Sequence, residues 1–268
     1  MRALPVPLKK ALDGFRPNRR VSRAVMLIYA IGTALIVLLA WTYSASKAIP
    51  RPGEIFSALG QLWNEQGLFD NLSTSLWLNF EAIGFAALLA VGLAYATVLP
   101  AMRPAVSVIA KLRFLGPVGP TFVFILLFMG HKLKLSLMLF GMAPYFLTSM
   151  AAVVAEIPKE KFDHARTLRM SEWRVVWEVV ILGTLDKMLE AVRQNAAMSW
   201  RMLTMVEGVV RTEGGIGTML LDQNKHFHLP AVFALILVVL LVGTLQDYAL
   251  GWLRRVVCPY ADLKSERS

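Results

Sequence analysis

Long stretches without charged residues constrain this chain more than any other feature of its sequence. A helix needs roughly 20 apolar residues to cross a bilayer. Five charge-poor windows approach or exceed that length, and they cover residues 24–45, 82–99, 114–130, 135–155 and 229–246. Only 17% of the residues are charged, whereas soluble domains average about 25%. The sequence therefore predicts an all-α membrane protein.

A sixth window, residues 188–210, is long enough to cross but carries Glu190, Arg193, Arg201 and Glu207. Counting it gives about six transmembrane helices. With the flanking residues included, the predicted spans lie near residues 24–45, 72–99, 114–130, 135–155, 188–210 and 229–253.

The positions of lysine and arginine predict the orientation of these spans. With six spans, the predicted inside segments hold twenty of the 28 basic residues and the predicted outside segments hold six. Because basic residues concentrate on the cytoplasmic side, we expect a cytoplasmic tail over residues 1–23, a transmembrane domain over 24–256 and a cytoplasmic tail over 257–268. The net charge of +10 then indicates attraction to anionic membrane lipid and no nucleic-acid partner.

Some predicted spans carry polar groups that lipid does not tolerate. Arg193, Asn195, Ser199 and Arg201 lie in the fifth span, so they must face the bundle interior, a subunit interface or water. They are candidate pathway-lining residues, although a packing role is the alternative. The third span opens with prolines at 117 and 120, which leave free backbone carbonyls that must face protein or a cavity.

The sequence holds no motif for chemistry on this chain. No G-x-x-x-x-G-K-[ST] occurs, so a P-loop cannot hold ATP here. The glycine-rich stretch at 211–218 follows no strand and indicates a turn or hinge, and Cys258 is the only cysteine. We therefore predict a protein that is not an enzyme and that has neither a catalytic residue, nor a metal site, nor a cofactor of its own.

Residues 158–186 form a charged segment between the fourth and fifth spans. Pro158 suits the first turn of a helix, and Phe162, Ala165 and Leu168 follow on one face. Ser171 before Glu172 is a second helix-start signal. The pattern predicts two short amphipathic helices at an angle, which would dock a soluble partner. A helix pair lying on the membrane surface is the alternative.

This segment resembles the EAA loop of binding-protein-dependent ABC transporter permeases, through Ala165-Arg-Thr-Leu168 and Met170-Ser-Glu-Trp173. The branch that imports nitrate, sulfonates, taurine and similar small solutes is the most similar. The resemblance implies a coupling helix seated on a cytoplasmic ATPase. The residues that it assigns to coupling are Phe162, Asp163, Ala165, Arg166, Thr167, Leu168, Ser171, Glu172 and Trp173.

Three positions depart from the family pattern. His164 replaces the first alanine, Leu182 stands where a proline is common, and Arg169 replaces the usual glycine at the bend. A non-glycine residue with positive φ costs roughly 1 kcal/mol, so the bend is expected to differ from the family's.

The resemblance also implies the partners and the location. It implies a second permease copy or relative, a cytoplasmic ABC ATPase dimer that carries ATP and Mg, and an external solute-binding protein, in the bacterial cytoplasmic (inner) membrane. Two alternatives stay open at this point. One is a secondary transporter with Glu81, Glu207 or Asp247 as proton carriers, and the other is a non-transporting scaffold or regulatory subunit.

Overall fold

The computed structural model describes residues 23–42 and 49–259. The predicted terminal tails therefore lie almost wholly outside the described residues. Contacts divide the chain into two units, residues 1–57 and 58–268. The described residues form helices and connecting turns without a strand, in agreement with the predicted all-α class.

The first unit contains helix α1, Arg23–Thr42. Its side chains are apolar on all sides and mostly exposed, as expected for a helix surrounded by lipid. After it, the Trp41 indole nitrogen donates to the carbonyl oxygen of Pro50 at 3.0 Å. Helix α2, Pro52–Glu65, begins in this unit and ends in the next.

The second unit contains the remaining helices. These are α3 (Leu68–Ala96), α4 (Arg103–Lys111), α5 (Thr121–Leu127), α6 (Gly130–Ala155), α7 (Lys159–Thr167), α8 (Glu172–Val175), α9 (Gly183–Val209), α10 (Ile216–Lys225) and α11 (Leu229–Val257). A π-helical segment, Val176–Leu182, joins α8 to α9. By length and apolar composition, four of the described helices are able to cross a membrane, namely α1, α3, α6 and α11.

Helices α3, α6 and α9 form the centre of this unit. Ala82, Ala86, Ala90 and Ala94 recur every four residues along one face of α3, and all are fully buried. Small residues let helix backbones approach closely, and the larger Met138, Met142 and Phe146 side chains of α6 belong to the same core cluster. Here close packing therefore depends on alanines.

The predicted third span, residues 114–130, is interrupted at the prolines with which it opens. This stretch contains the end of a 3₁₀ turn, an irregular segment around prolines 117 and 120, and only seven residues of helix in α5. Residues 113–124 nevertheless run antiparallel to α6. The Tyr145 hydroxyl donates to the Arg113 carbonyl at 3.1 Å, and the Phe124 ring packs against Phe140 at 5.7 Å. Residues 103–128 thus cross the bundle as an interrupted helix.

Protein groups satisfy carbonyls that this interruption frees, as the prolines predict. Besides Tyr145, the Thr121 hydroxyl donates to the Pro117 carbonyl at 2.8 Å. Pro117 lies against Gly141 of α6, where a Cβ would meet it at 3.6 Å.

Other predicted boundaries move by a few residues. Helix α3 begins at Leu68 and α6 at Gly130, both earlier than predicted, and α11 extends to Val257. Helix α9 begins at Gly183, inside the predicted docking loop. The second docking helix is therefore not a separate short helix, because Glu172 to Val209 forms one continuous helical rod with a π turn inside it.

Candidate functional site

The segment from α7 to α8 makes a sharp, internally bonded elbow. The Met170 amide donates to the Ala165 carbonyl at 3.3 Å and the Arg169 amide to the Arg166 carbonyl at 2.9 Å. These bonds and the left-handed φ of 56° at Arg169 form a Schellman-type helix end. Arg169 thus adopts a backbone conformation that favours glycine, the residue usual at this position in the family.

An ion pair closes the elbow from outside. Arg166 Nε donates to Glu172 Oε1 at 3.2 Å, and Arg166 Nη1 lies 3.7 Å from Asp163 Oδ1. The hydrogen bond to Glu172 and the charge of that carboxylate raise the pKa of Arg166 above its usual range. Arg166 therefore keeps its charge at every physiological pH and joins α7 to the start of α8.

One side of α7 faces the bundle and the other is free. Ala165 is buried, and Phe162 is half-buried beside Val98 and Val154, at the ends of α3 and α6. In contrast, Leu168 is 59% exposed and Trp173 is 74% exposed. Large apolar side chains left in water at a turn are typical of a surface that binds another protein.

A substitution at the bend tests its backbone geometry. We expect Arg169→Gly to stabilise the elbow by about 1 kcal/mol, because glycine adopts the left-handed region without the steric cost of a Cβ. The matched control is Arg174→Gly in α8, where glycine should destabilise the helix by a similar amount. Hydrogen exchange of residues 159–175 measures both, and reduced protection in Arg169→Gly would contradict the assignment.

Helix α9 places the four predicted pathway residues in different surroundings. Arg193 Nη1 donates to both carboxylate oxygens of Asp247 at 2.9 Å, and its Nη2 donates to Glu190 at 2.7 Å. Asn195 donates to the Ala191 carbonyl at 2.7 Å. Ser199 is fully buried and donates to the Ala196 carbonyl. Their role as pathway lining stays a prediction.

Arg201 differs from these three residues. Its side chain is exposed, and the guanidinium forms no hydrogen bond or ion pair with any described residue. Gln194, Ala197 and Met205 are exposed on the same side of α9, at helical spacing. An unpaired arginine is costly in hydrocarbon, so this face requires water or another protein chain beside it.

The sequence did not predict a buried polar cluster at the end of the bundle opposite the elbow. Glu207 is fully buried and accepts hydrogen bonds from the Ser75 hydroxyl at 2.7 Å and the Gly217 amide at 2.8 Å. The Ile216 amide donates to Ser75, and the Gly215 amide donates to Asn71. Side chains of α3 and α9 thus satisfy the free amides at the start of α10.

Two glycines of this cluster occupy positions where a side chain would not fit. Gly215 has φ of 116°, and a Cβ there would collide with the Glu207 carboxylate. A Cβ on Gly217 would lie 2.8 Å from the Thr204 Cα. The glycine-rich stretch contains the predicted turn, at residues 212–213, and then forms the packed start of α10. The only sequence signal for this packed helix start was an acid in a predicted span, Glu207, followed closely by Gly214-Gly-Ile-Gly217.

One family model matches most of the chain. Residues 11–257 match the model of the binding-protein-dependent transport system inner membrane component. The chain belongs to this family. It is an ABC transporter permease and a membrane protein, and this family transports solutes instead of catalysing a reaction.

Individual relatives support the same fold. The bicarbonate transport system permease protein CmpB of Synechococcus elongatus is 28% identical over 109 residues, which are 41% of this permease and 39% of that protein. CmpB of a second Synechococcus strain gives the same values. The permease therefore spans about two-fifths of the length of the curated relatives that it matches.

Among solved structures, the MetNI methionine ABC transporter in inward-facing conformations has the same fold. The TM-score is 0.61 at 14% identity, and the match covers 74% of this permease and 98% of that chain. At this identity the likeness concerns the fold alone.

Proposed function

We propose that this permease is the membrane subunit of an ABC importer and that the elbow from α7 to α8 couples it to separate cytoplasmic ATPase subunits. The observation that carries this proposal is the elbow itself. Its free side exposes Leu168 and Trp173, while α8 continues through the π segment into α9. A push on the elbow would thus reach a membrane helix directly.

A dimer follows from the surface of α9. The exposed face with Arg201 needs water and protein beside it, and a second permease copy or a relative would supply both by enclosing a pathway between two such faces. ATP and Mg would be held by the ATPase dimer, and an external solute-binding protein would deliver the solute. We place the chain in the bacterial inner membrane, with both termini cytoplasmic.

The solute is proposed to be a small anion, of the nitrate, sulfonate or taurine kind or bicarbonate. Arg201 supports this because its guanidinium is exposed and unpaired within the described part of the chain. The similarity to the CmpB bicarbonate permease proteins supports it too, since bicarbonate is an anion.

Substitution of Arg201 tests the anion proposal. We expect Arg201→Ala to lower uptake of the transported anion about tenfold or more, because a hydrogen bond to a charged group is worth roughly 1.5–3 kcal/mol. Arg201→Lys should retain part of the uptake, and Gln194→Ala, on the same exposed face, should be neutral. Radiolabelled bicarbonate, nitrate and sulfonates measure this in proteoliposomes that hold the whole complex. Unchanged uptake and assembly in Arg201→Ala would remove the proposal.

The alternative of a secondary transporter is less well supported by the acids it would use. Glu207 is held by Ser75 and the Gly217 amide, Asp247 by Arg193, and Glu81 lies 2.6 Å from the ring of His131. Each carboxylate already has a protein partner, and the exposed elbow has no use in such a transporter.

A further inference from the structure

A basic pocket lies where α9 and α11 meet, toward the end of the bundle that carries the elbow. Its lining is Arg193, Asp247, Tyr248, Gly251, Trp252, Arg254 and Arg255. Gly251 forms part of the floor, since a Cβ there would lie 3.6 Å from the Arg193 Cδ. The side chain of Arg193 can therefore lie across α11 and reach Asp247.

The charges in this pocket do not cancel. Three arginines, Arg193, Arg254 and Arg255, meet two carboxylates, Glu190 and Asp247. Arg193 pairs with both of these carboxylates, whereas Arg254 donates only to Glu190, from Nη1 at 2.8 Å. The result is one uncompensated positive charge.

Two arginine groups in this pocket lack a partner among the described residues. The Nε atom of Arg254 is buried and has no acceptor in the described part of the chain. Arg255 is exposed, and no described residue pairs with it. A buried donor without an acceptor is costly. Beside it, the exposed Arg255 guanidinium can bind an oxygen-rich anion in the pocket.

The position along α11 identifies the source of this anion. The helix rises about 28 Å from Leu229 to Tyr248, close to the roughly 30 Å thickness of the hydrocarbon core. Leu240, Leu241 and Leu245 are exposed along this stretch. Tyr248 and Trp252 follow, 72% and 66% exposed, as is typical of aromatic side chains at the headgroup level.

We propose that this pocket binds the phosphate of an anionic phospholipid in the leaflet nearest the elbow. A phosphodiester carries a single negative charge, which matches the uncompensated arginine. The acyl chains would lie along Leu240, Leu241 and Leu245, and the headgroup would rest between Trp252 and Arg255. The proposal depends on membrane insertion and not on the transported solute.

The test compares lipids bound to the full chain and its co-purifying subunits in nanodiscs. One set contains phosphatidylcholine alone, and the other contains phosphatidylcholine with phosphatidylglycerol. Native mass spectrometry of the released complex measures which lipid is retained. We expect roughly fivefold enrichment of phosphatidylglycerol over its share in the nanodisc, the factor that one basic residue near an anionic surface supplies.

Arg255→Gln should remove most of this enrichment and should fold normally, because no described residue forms an ion pair with Arg255. The matched control is Lys187→Gln, which removes one positive charge from an exposed residue at the start of α9, paired with Glu156 at 3.5 Å. It should leave the enrichment unchanged.

Three results would overturn the proposal. The first is equal retention of the two lipids by the wild type, and the second is an equal loss of enrichment in both variants, which would indicate diffuse surface attraction. The third is thermal stabilisation by inorganic phosphate in phosphatidylcholine nanodiscs that matches the effect of phosphatidylglycerol, because the site would then take a free anion. Transport activity enters none of these measurements.

Discussion

Gly217→Ala is expected to lower the thermal stability of the purified permease by roughly 3–10 °C. The added Cβ would meet the carbonyl oxygen of Thr204 at 2.5 Å and its Cα at 2.8 Å. Both atoms belong to the backbone of α9, so no side-chain rotation relieves the contact. Helix α10 must shift, and the hydrogen bond from the Gly217 amide to Glu207 weakens with it.

Gly208 offers a matched control on the other side of the same helix contact. A Cβ at Gly208 would lie 3.7 Å from Leu221 Cδ2, which is an ordinary van der Waals distance. Because Gly208 lies inside α9, Gly208→Ala should be neutral or stabilising by up to about 1 kcal/mol. Melting curves of the two detergent-solubilised variants measure the difference. Equal melting temperatures would contradict the packing of α10 on α9.

The double variant Asp163→Arg, Leu168→Asp is expected to abolish uptake by the assembled transporter while leaving the membrane unit folded. Asp163 is 71% exposed at its side chain, and Leu168 is largely exposed as well, so neither change disturbs packing within the chain. In a complex, a charge would replace an apolar contact. An uncompensated charge buried in an interface costs about 3–5 kcal/mol, which exceeds a tenfold loss of affinity.

A matched control separates coupling from a general effect of charge. Glu65→Arg reverses a charge on an exposed residue at the opposite end of the second unit, and it should not change binding of a cytoplasmic subunit. Solute uptake and ATP hydrolysis, measured together in proteoliposomes, report the outcome. Retained uptake in the double variant would show that the elbow is not the coupling element.

Features that depend on neighbouring residues were predictable from the sequence. The helices long and apolar enough to cross a membrane follow from the long apolar windows. The helix start lies after Ser171, where the Ser171-Glu172 pair predicts it, although the Ser171 side chain makes no capping hydrogen bond. The bend at Arg169 could be placed because the family resemblance puts a glycine there, and a glycine at a bend indicates positive φ. Prolines 117 and 120 correctly indicated freed carbonyls but not how far the helix would be interrupted.

Features that join distant parts of the chain were not predictable. Asn71 and Ser75 bond to amides more than 140 residues away, and nothing near either residue indicates that partner. Glu207 stands out in the sequence as an acid in a predicted span and as a candidate proton carrier. Its role in holding the start of α10 could not be predicted, because it depends on contacts between packed helices. The fit of Gln246 between Asn79 and Trp200, at 2.8 and 2.9 Å, is of the same kind.

The most direct test of the account is the composition of the complex purified from its native membrane. The permease is extracted in mild detergent, and co-eluting polypeptides are identified for the wild type and for Asp163→Arg, Leu168→Asp. We expect an ATP-hydrolysing subunit to co-elute with the wild type and to be lost from the double variant. A folded, stable wild-type permease without any ATPase subunit would contradict it.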